Sequence, residues 1–215
     1  MTSPDAESHA KHGLALAIAV VSSVALSVFL IFQNMSEPRR TFVLVLSLVA
    51  SCAVVLVPRL RSTLPLRGTV VLSVALVLVA VVTPPNNTDF WYYQMYGRTV
   101  VHHHANPYRH APIEYAPDPV LGRTGGFWDG VRPEYGPVLV GTATVIYAAT
   151  GPSELAGRLA WQGLAGATVL VTIVLVMKRT HDAAAVALIG LNPLIIYSAV
   201  HAGHCDVLIG LGVLA

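Results

Sequence analysis

The sequence predicts an all-α, polytopic transmembrane helical protein with a long extracytoplasmic loop containing short interfacial helices. Three observations lead there. The 215 residues are 54% hydrophobic and only 11% charged, against roughly a quarter charged in a soluble domain, and the mean hydropathy is +0.64. The apolar residues gather in runs of helical-span character separated by short polar links. One segment, 84–137, breaks that pattern. It is aromatic and proline-punctuated, and a loop that long is usually functional or disordered. Its Trp and Tyr content argues for order at the headgroup zone. A formal net charge of +2 is too small to indicate nucleic acid, so the lipid bilayer is the expected partner. Cys52 and Cys205 lie in or beside apolar runs and suggest no disulfide framework.

Taken in order, residues 1–13 read as a polar cytoplasmic tail. Residues 14–83 hold three expected transmembrane helices, over 14–32, 41–57 and 68–82. Asp5 and Glu7 spoil the basic start of a signal peptide, and no small-x-small cleavage site follows, so 14–32 is read as an uncleaved span. Arg59, Arg61 and Arg67 place the next link in the cytoplasm by the positive-inside rule, which sends residue 83 onward to the outer face. Arg39 and Arg40 vote the other way.

Within the extracytoplasmic loop 84–137, Asn87, Thr88 and Asp89 offer N-cap side chains for a short helix over 90–101 lying along the membrane surface. Pro107, Pro112, Pro117, Pro119 and Pro133 then preclude a long helix and stiffen a lid-like segment. Residues 138–215 are expected to add further transmembrane or re-entrant helices. The run 136–150 is shorter than the ~20 residues a crossing takes. Read as re-entrant, it leaves Lys178 and Arg179, after a full span over 155–177, in the cytoplasm and returns 201–206 to the face of Asp89. Two full crossings would place 201–206 on the opposite face. Asn192-Pro193 breaks or kinks the helix over 183–200. The last apolar run is too short to cross a bilayer, so the chain is expected to be the N-terminal part of a longer protein and inactive alone.

Two polar clusters carry the chemistry. In 89–108 (DFWYYQMYGRTVVHHHANPY), Asp89 is either a helix cap or a general base, and partial desolvation is expected to raise its pKa into a useful range. Trp91, Tyr92, Tyr93 and Tyr96 either anchor the helix at the interface, the simpler reading, or stack on sugar faces. His102, His103 and His104 look like metal ligands, but consecutive side chains diverge where zinc sites use spaced ligands. With Arg98 and Arg109 they are read as a positive surface for a phosphate, against the alternative of ordinary interfacial charge. The second cluster, HAGHCD, puts His201 and His204 on one helix face beside Asp206. Ionisable residues between apolar runs mark a functional site by default. His201, His204 and Asp206 are an incomplete metal set, and no HExxH or repeated histidine box occurs. No metal site is expected; a divalent metal is compatible but not required.

Three separated motifs carry a resemblance. DFWYYQMYGR…HHHANPY resembles the first outer loop of GT-C glycosyltransferases, membrane enzymes using polyprenyl-phosphate sugar donors. RPEYGPVL resembles the Tyr-Gly-Pro-Leu run closing that loop, with Val138 in place of Leu. LNPLIIYSAVHAGHCDVL resembles the Asn-Pro-Leu…His-Asn-Asp stretch of actinobacterial polyprenol-phosphate-mannose-dependent mannosyltransferases, with Cys205 in place of Asn. The resemblance implies that Asp89 is the base of an inverting transfer from a polyprenyl-phosphate-linked sugar to a glycan or lipoglycan acceptor. It leaves mannose, arabinose and glucose as alternatives. It makes Arg98, His103, His104, Arg109, Tyr93 and Tyr108 candidates for binding the donor's phosphate or sugar. His201, His204 and Asp206 are then a second half-site, positioning donor or acceptor. The alternatives are a non-catalytic transporter or envelope-assembly factor and a metal-dependent membrane enzyme. Polar residues concentrated in one outer loop rather than at mid-span favour the transferase.

Overall fold

The computed structural model describes residues 64–205 except Asn86, with isolated positions between 17 and 49 that are all helical. The spans expected over 14–32 and 41–57 lie largely outside these residues, and Asp206 lies outside them altogether. Apart from a mostly irregular segment over 102–136, the described chain is helical, and no strand occurs among the described residues.

Helix α1 (Leu66–Val82) follows Pro65 and buries Thr69, Ser73, Leu76, Val77 and Ala80, one stripe at helical spacing. Its polar members are satisfied internally. Thr69 and Ser73 donate to carbonyls one turn back, at 3.0 and 2.8 Å. Pro84-Pro85 ends it. The helix expected over 90–101 is α2 (Asp89–Val101). Residues 90–99 are all buried within the protein. Trp91, Tyr92, Tyr93 and Tyr96 pack inside the protein with Met95, Leu139 and Trp161. Their mutual packing outweighs interfacial anchoring. The segment beyond contains only two short 3-10 turns, Pro112–Tyr115 and Leu121–Arg123.

Helix α3 (Pro137–Thr150) opens with proline in its first turn, after Gly136. Helix α4 (Glu154–Thr180) is capped by Ser153, whose Oγ accepts from Ala156 N at 3.3 Å. Glu154 in its first turn and Lys178 and Arg179 in its last complement the helix dipole. Helix α5 (Ala183–Gly190) is capped by Asp182, which accepts from Ala184 N at 2.9 Å. At Asn192-Pro193 the chain bends by 53° into a π-helical segment, Ile195–His201. This is the break that the Asn-Pro pair predicts.

Two cores share α4. Val169 and Ile173 join α1, α5 and the π segment, including Leu76, Val186 and Ile196. Trp161 belongs to the other core, with α2, α3 and the 3-10 turns. Among the described helices, α4 alone is long and apolar enough to cross a membrane, and α5 with the π segment qualifies as one bent span. The shorter apolar helices α1 and α3 do not reach that length.

The α2–α3 contact depends on Gly97. A methyl group there would sit 2.6 Å from the Ala143 carbonyl carbon and 2.7 Å from Tyr147 Cβ. Gly97→Ala is therefore expected to destabilise the protein by about 1–3 kcal/mol through overpacking. Gly163→Ala, on α4 with open space around its added methyl, should stabilise by about 0.5–1 kcal/mol through helix propensity. Thermal unfolding of the two variants checks the opposite signs, and equal shifts would contradict the tight contact.

Candidate active site

The two polar clusters meet across 115 residues of sequence. His204 Nε2 lies 2.7 Å from Asp89 Oδ2. Asp89 sits in the first turn of α2 and His204 three residues beyond the π segment. Asn87 Nδ2 lies 3.2 Å from the same carboxylate oxygen, 3.3 Å from His204 Nε2 and 3.4 Å from the Ala202 carbonyl. The Asp89 carboxyl titrates below its ordinary value, chiefly because of the hydrogen bond from His204; burial opposes this, and the charge of His204 and the Asn87 amide add to it. The direction is opposite to the one expected from desolvation alone. An ionised carboxylate only accepts, so Nε2 carries the hydrogen in this contact.

What sets this geometry is a polar knot below it. Gln162 Nε2, on α4, reaches the carbonyls of Ala80, Thr83 and His201 at 3.0, 3.0 and 2.7 Å. Arg158 donates to Gln162 Oε1 at 3.0 Å and to the Val82 carbonyl at 3.3 Å. The end of α1 and the end of the π segment are thus tied to one side chain, and the segments leaving them carry Asp89 and His204.

A cleft of about 250 Å³ opens at the pair, lined by Asp89, Tyr92, Tyr93, Tyr96, Trp128, Val131, Arg132, Glu134, Tyr135 and His204. Tyr92 Oη accepts from Trp128 N at 2.7 Å and so fixes the Trp128 wall. Tyr93 meets Tyr135 edge-on at 5.7 Å. Burial, before neighbouring charges, pushes the Tyr96 phenol up to about 12 and that of Tyr93 higher still. Both stay protonated at neutral pH.

Of the residues singled out from sequence, Asp89, Tyr92, Tyr93, Tyr96 and His204 line this cleft; the other described ones do not. Arg98 is buried in an ion pair, its Nε 2.6 Å from Asp118 Oδ2 and its Nη1 bonded to Tyr147 Oη. His103 Nε2 lies 3.1 Å from the same Asp118 oxygen and stacks on Tyr115. His104 and Arg109 are exposed outside the cleft. Tyr108 supports the wall indirectly, donating from Oη to the Tyr135 carbonyl at 3.0 Å. His201 is buried against Tyr197. Cys205, where the resemblance expects Asn, donates its thiol to Tyr93 Oη at 3.8 Å. Among the described residues no group of three or more metal-ligating side chains converges.

Sequence reasoning passed over Arg132, Glu134, Tyr135 and Trp128. The first three stand inside RPEYGPVL, which was read as a motif and not as individual side chains. It also passed over Asp118, which anchors α2 to the following segment. Asp118 accepts from Arg98 and from the amides of Val120 and Leu121, at 2.8 and 3.3 Å. Burial would raise its pKa, but Arg98 and these two amides together hold it below the ordinary 3.8.

A depressed carboxylate contributes stability in full above its unfolded value and loses it as pH falls through the folded one. The Asp118 contribution is therefore intact at neutral pH and disappears below pH 3.8. Asp118→Asn leaves the Arg98 charge buried and uncompensated, and should cost about 3 kcal/mol at pH 7. Its deficit should narrow below pH 3.8. Melting temperatures of both proteins across the acid range check this; a deficit independent of pH would refute the ion-pair account.

With this geometry established, comparison with known proteins adds one match. A family model described as alpha-(1->6)-mannopyranosyltransferase, N-terminal domain (MptA_B family), matches residues 10–215. No curated protein and no solved structure matches the chain. The family match covers all but the first nine residues and includes both halves of the Asp89–His204 pair, so the chain belongs to the alpha-(1->6)-mannopyranosyltransferase N-terminal domain family.

Proposed function

We propose that this chain carries the catalytic cleft of a GT-C mannosyltransferase at the plasma membrane. The donor is a polyprenyl-phosphate-linked mannose and the acceptor a cell-envelope glycan or lipoglycan. The observation that carries the reading is the 2.7 Å pair of Asp89 and His204 at an aromatic-walled cleft. Its chemistry suits an inverting displacement. Asp89, held ionised by His204, takes the proton of an acceptor hydroxyl. That oxygen attacks C1 of the mannose, and the C1–O bond to phosphate breaks with its electron pair leaving on the phosphate. The proton on Asp89 then passes to water. His204 acts as a positioning residue: it occupies Oδ2 and leaves Oδ1 for the acceptor. Tyr92, Tyr93, Tyr96 and Trp128 supply ring faces and hydroxyls of the kind that hold a pyranose.

The family supports mannosyl transfer as such. The lipid-borne donor is supported by architecture: the apolar helices α1 and α3 expose Val71, Val138 and Val145 on their outer faces. An extracytoplasmic position for the cleft rests on the arginine-rich link before α1.

Asp89→Asn in the full-length membrane protein should lower transfer about 10²–10⁴-fold, the usual contribution of a general base, while donor binding and thermal stability persist. Near-normal turnover would overturn the assignment. His204→Ala removes the largest influence lowering the Asp89 pKa, so that pKa rises. The acid limb of the kcat/KM profile should then move to higher pH than in the wild type. An unmoved limb would show that His204 does not act through Asp89.

A further inference from the structure

Transfer from a sugar phosphodiester leaves a prenyl phosphate whose charge grows from one negative charge toward two. A cation aimed at that oxygen is worth most in the transition state. Of the cations expected for this from the sequence, His104 and Arg109 lie outside the cleft, and Arg98 and His103 are committed elsewhere, as are Arg158 and Arg123. Arg98 is neutralised by Asp118. Arg158 serves Gln162 and the end of α1. Arg123 lies over the Trp91 ring at 4.8 Å and donates to the Pro152 carbonyl. His103 is held by Asp118 and Tyr115. Arg132 is the one Arg or Lys among the residues lining the cleft.

We infer that Arg132 is the phosphate-binding residue of this site and stabilises the departing prenyl phosphate. The inference rests on the glycosyl-transfer reading above and assigns the leaving-group side of that same cleft. Arg132 is exposed and precedes Pro133 in the stretch 131–135, whose Val131, Arg132, Glu134 and Tyr135 form one wall of the cleft. Among the described residues no carboxylate lies within ion-pair distance of it. Glu114 feels its charge, but that carboxylate is already engaged by His110 Nδ1 at 2.9 Å and by the Ala111 amide at 2.7 Å. Asp89 and Arg132 line one cavity, so base and anion-binding cation can face the same sugar. A guanidinium also offers two parallel donors matched to phosphate oxygens, which an ammonium does not.

The test uses the full-length protein in membranes with a polyprenyl-phosphate-mannose donor, and compares Arg132→Gln, Arg132→Lys and Asp89→Asn. Arg132→Gln should lower kcat about 10²-fold, the typical loss for one charge-stabilising donor. Added polyprenyl phosphate, the product, should inhibit this variant roughly tenfold more weakly, in line with the loss of a charged hydrogen bond. Arg132→Lys should recover part of both. If Arg132→Gln keeps kcat and product inhibition within about twofold of wild type while Asp89→Asn is inactive, the Arg132 inference is overturned and the transferase reading stands. Full turnover by Asp89→Asn would overturn the reading on which the inference rests. A loss of kcat in Arg132→Gln with unchanged product inhibition, unrelieved by Lys, would also overturn the phosphate role.

Discussion

The amide of Gln162 is the constraint on which the rest depends. Where α1 ends and where the π segment ends, the last carbonyls lose their helical partners. Buried in apolar surroundings, each would cost about 1–3 kcal/mol if left unmet. One side chain on α4 meets carbonyls from both ends, with Arg158 completing the knot. Two N–H groups serve three carbonyls, so one bond is shared. The consequence is positional. The chain leaving α1 at Thr83 reaches Asp89 after six residues, and the chain leaving His201 reaches His204 after three. Fixing the two exits fixes the pair.

The same economy explains why so much of the polar loop is structural. Helix α2 is enclosed on all sides, so Arg98 enters a place where an isolated charge would be prohibitive. Asp118 resolves this, and in doing so pins the segment after α2 back over the aromatic core. His103 shares that carboxylate, and Tyr147 brings α3 into the network. The wall formed by Trp128 and Tyr135 is held in turn by Tyr92 and Tyr108. Residues that look reactive in sequence thus hold the cleft's shape from behind.

Much of the helical framework was legible beforehand, because hydrophobic runs and proline breaks act locally. The segments 68–82, 90–101, 155–177 and the break at Asn192-Pro193 reappear within a few residues as α1, α2, α4 and the 53° bend. The requirement that 201–206 return to Asp89 was also readable, since two polar clusters in an apolar chain have few places to go; the structure brings His204 there. Partner choice was not legible. Nothing local says that Arg98 faces Asp118 twenty residues on, or that aromatic residues suited to an interface turn inward on one another. The sign of the Asp89 shift was misjudged for the same reason. Burial was visible in the sequence, but the opposing hydrogen bonds from His204 and Asn87 exist only once the chain has folded.

The cleft that results separates acid–base roles by environment. Burial raises the phenols of Tyr93 and Tyr96 still further above neutral pH, so neither competes with Asp89 as a base. Asp89 is held ionised by His204, at the cost of intrinsic basicity. In the proposed displacement such a weakened base still serves, because the acceptor hydroxyl becomes acidic as its oxygen bonds to carbon. The pair is thus compatible with the proposed transfer, in which the difficult charge develops on the other side of the sugar, at the leaving phosphate.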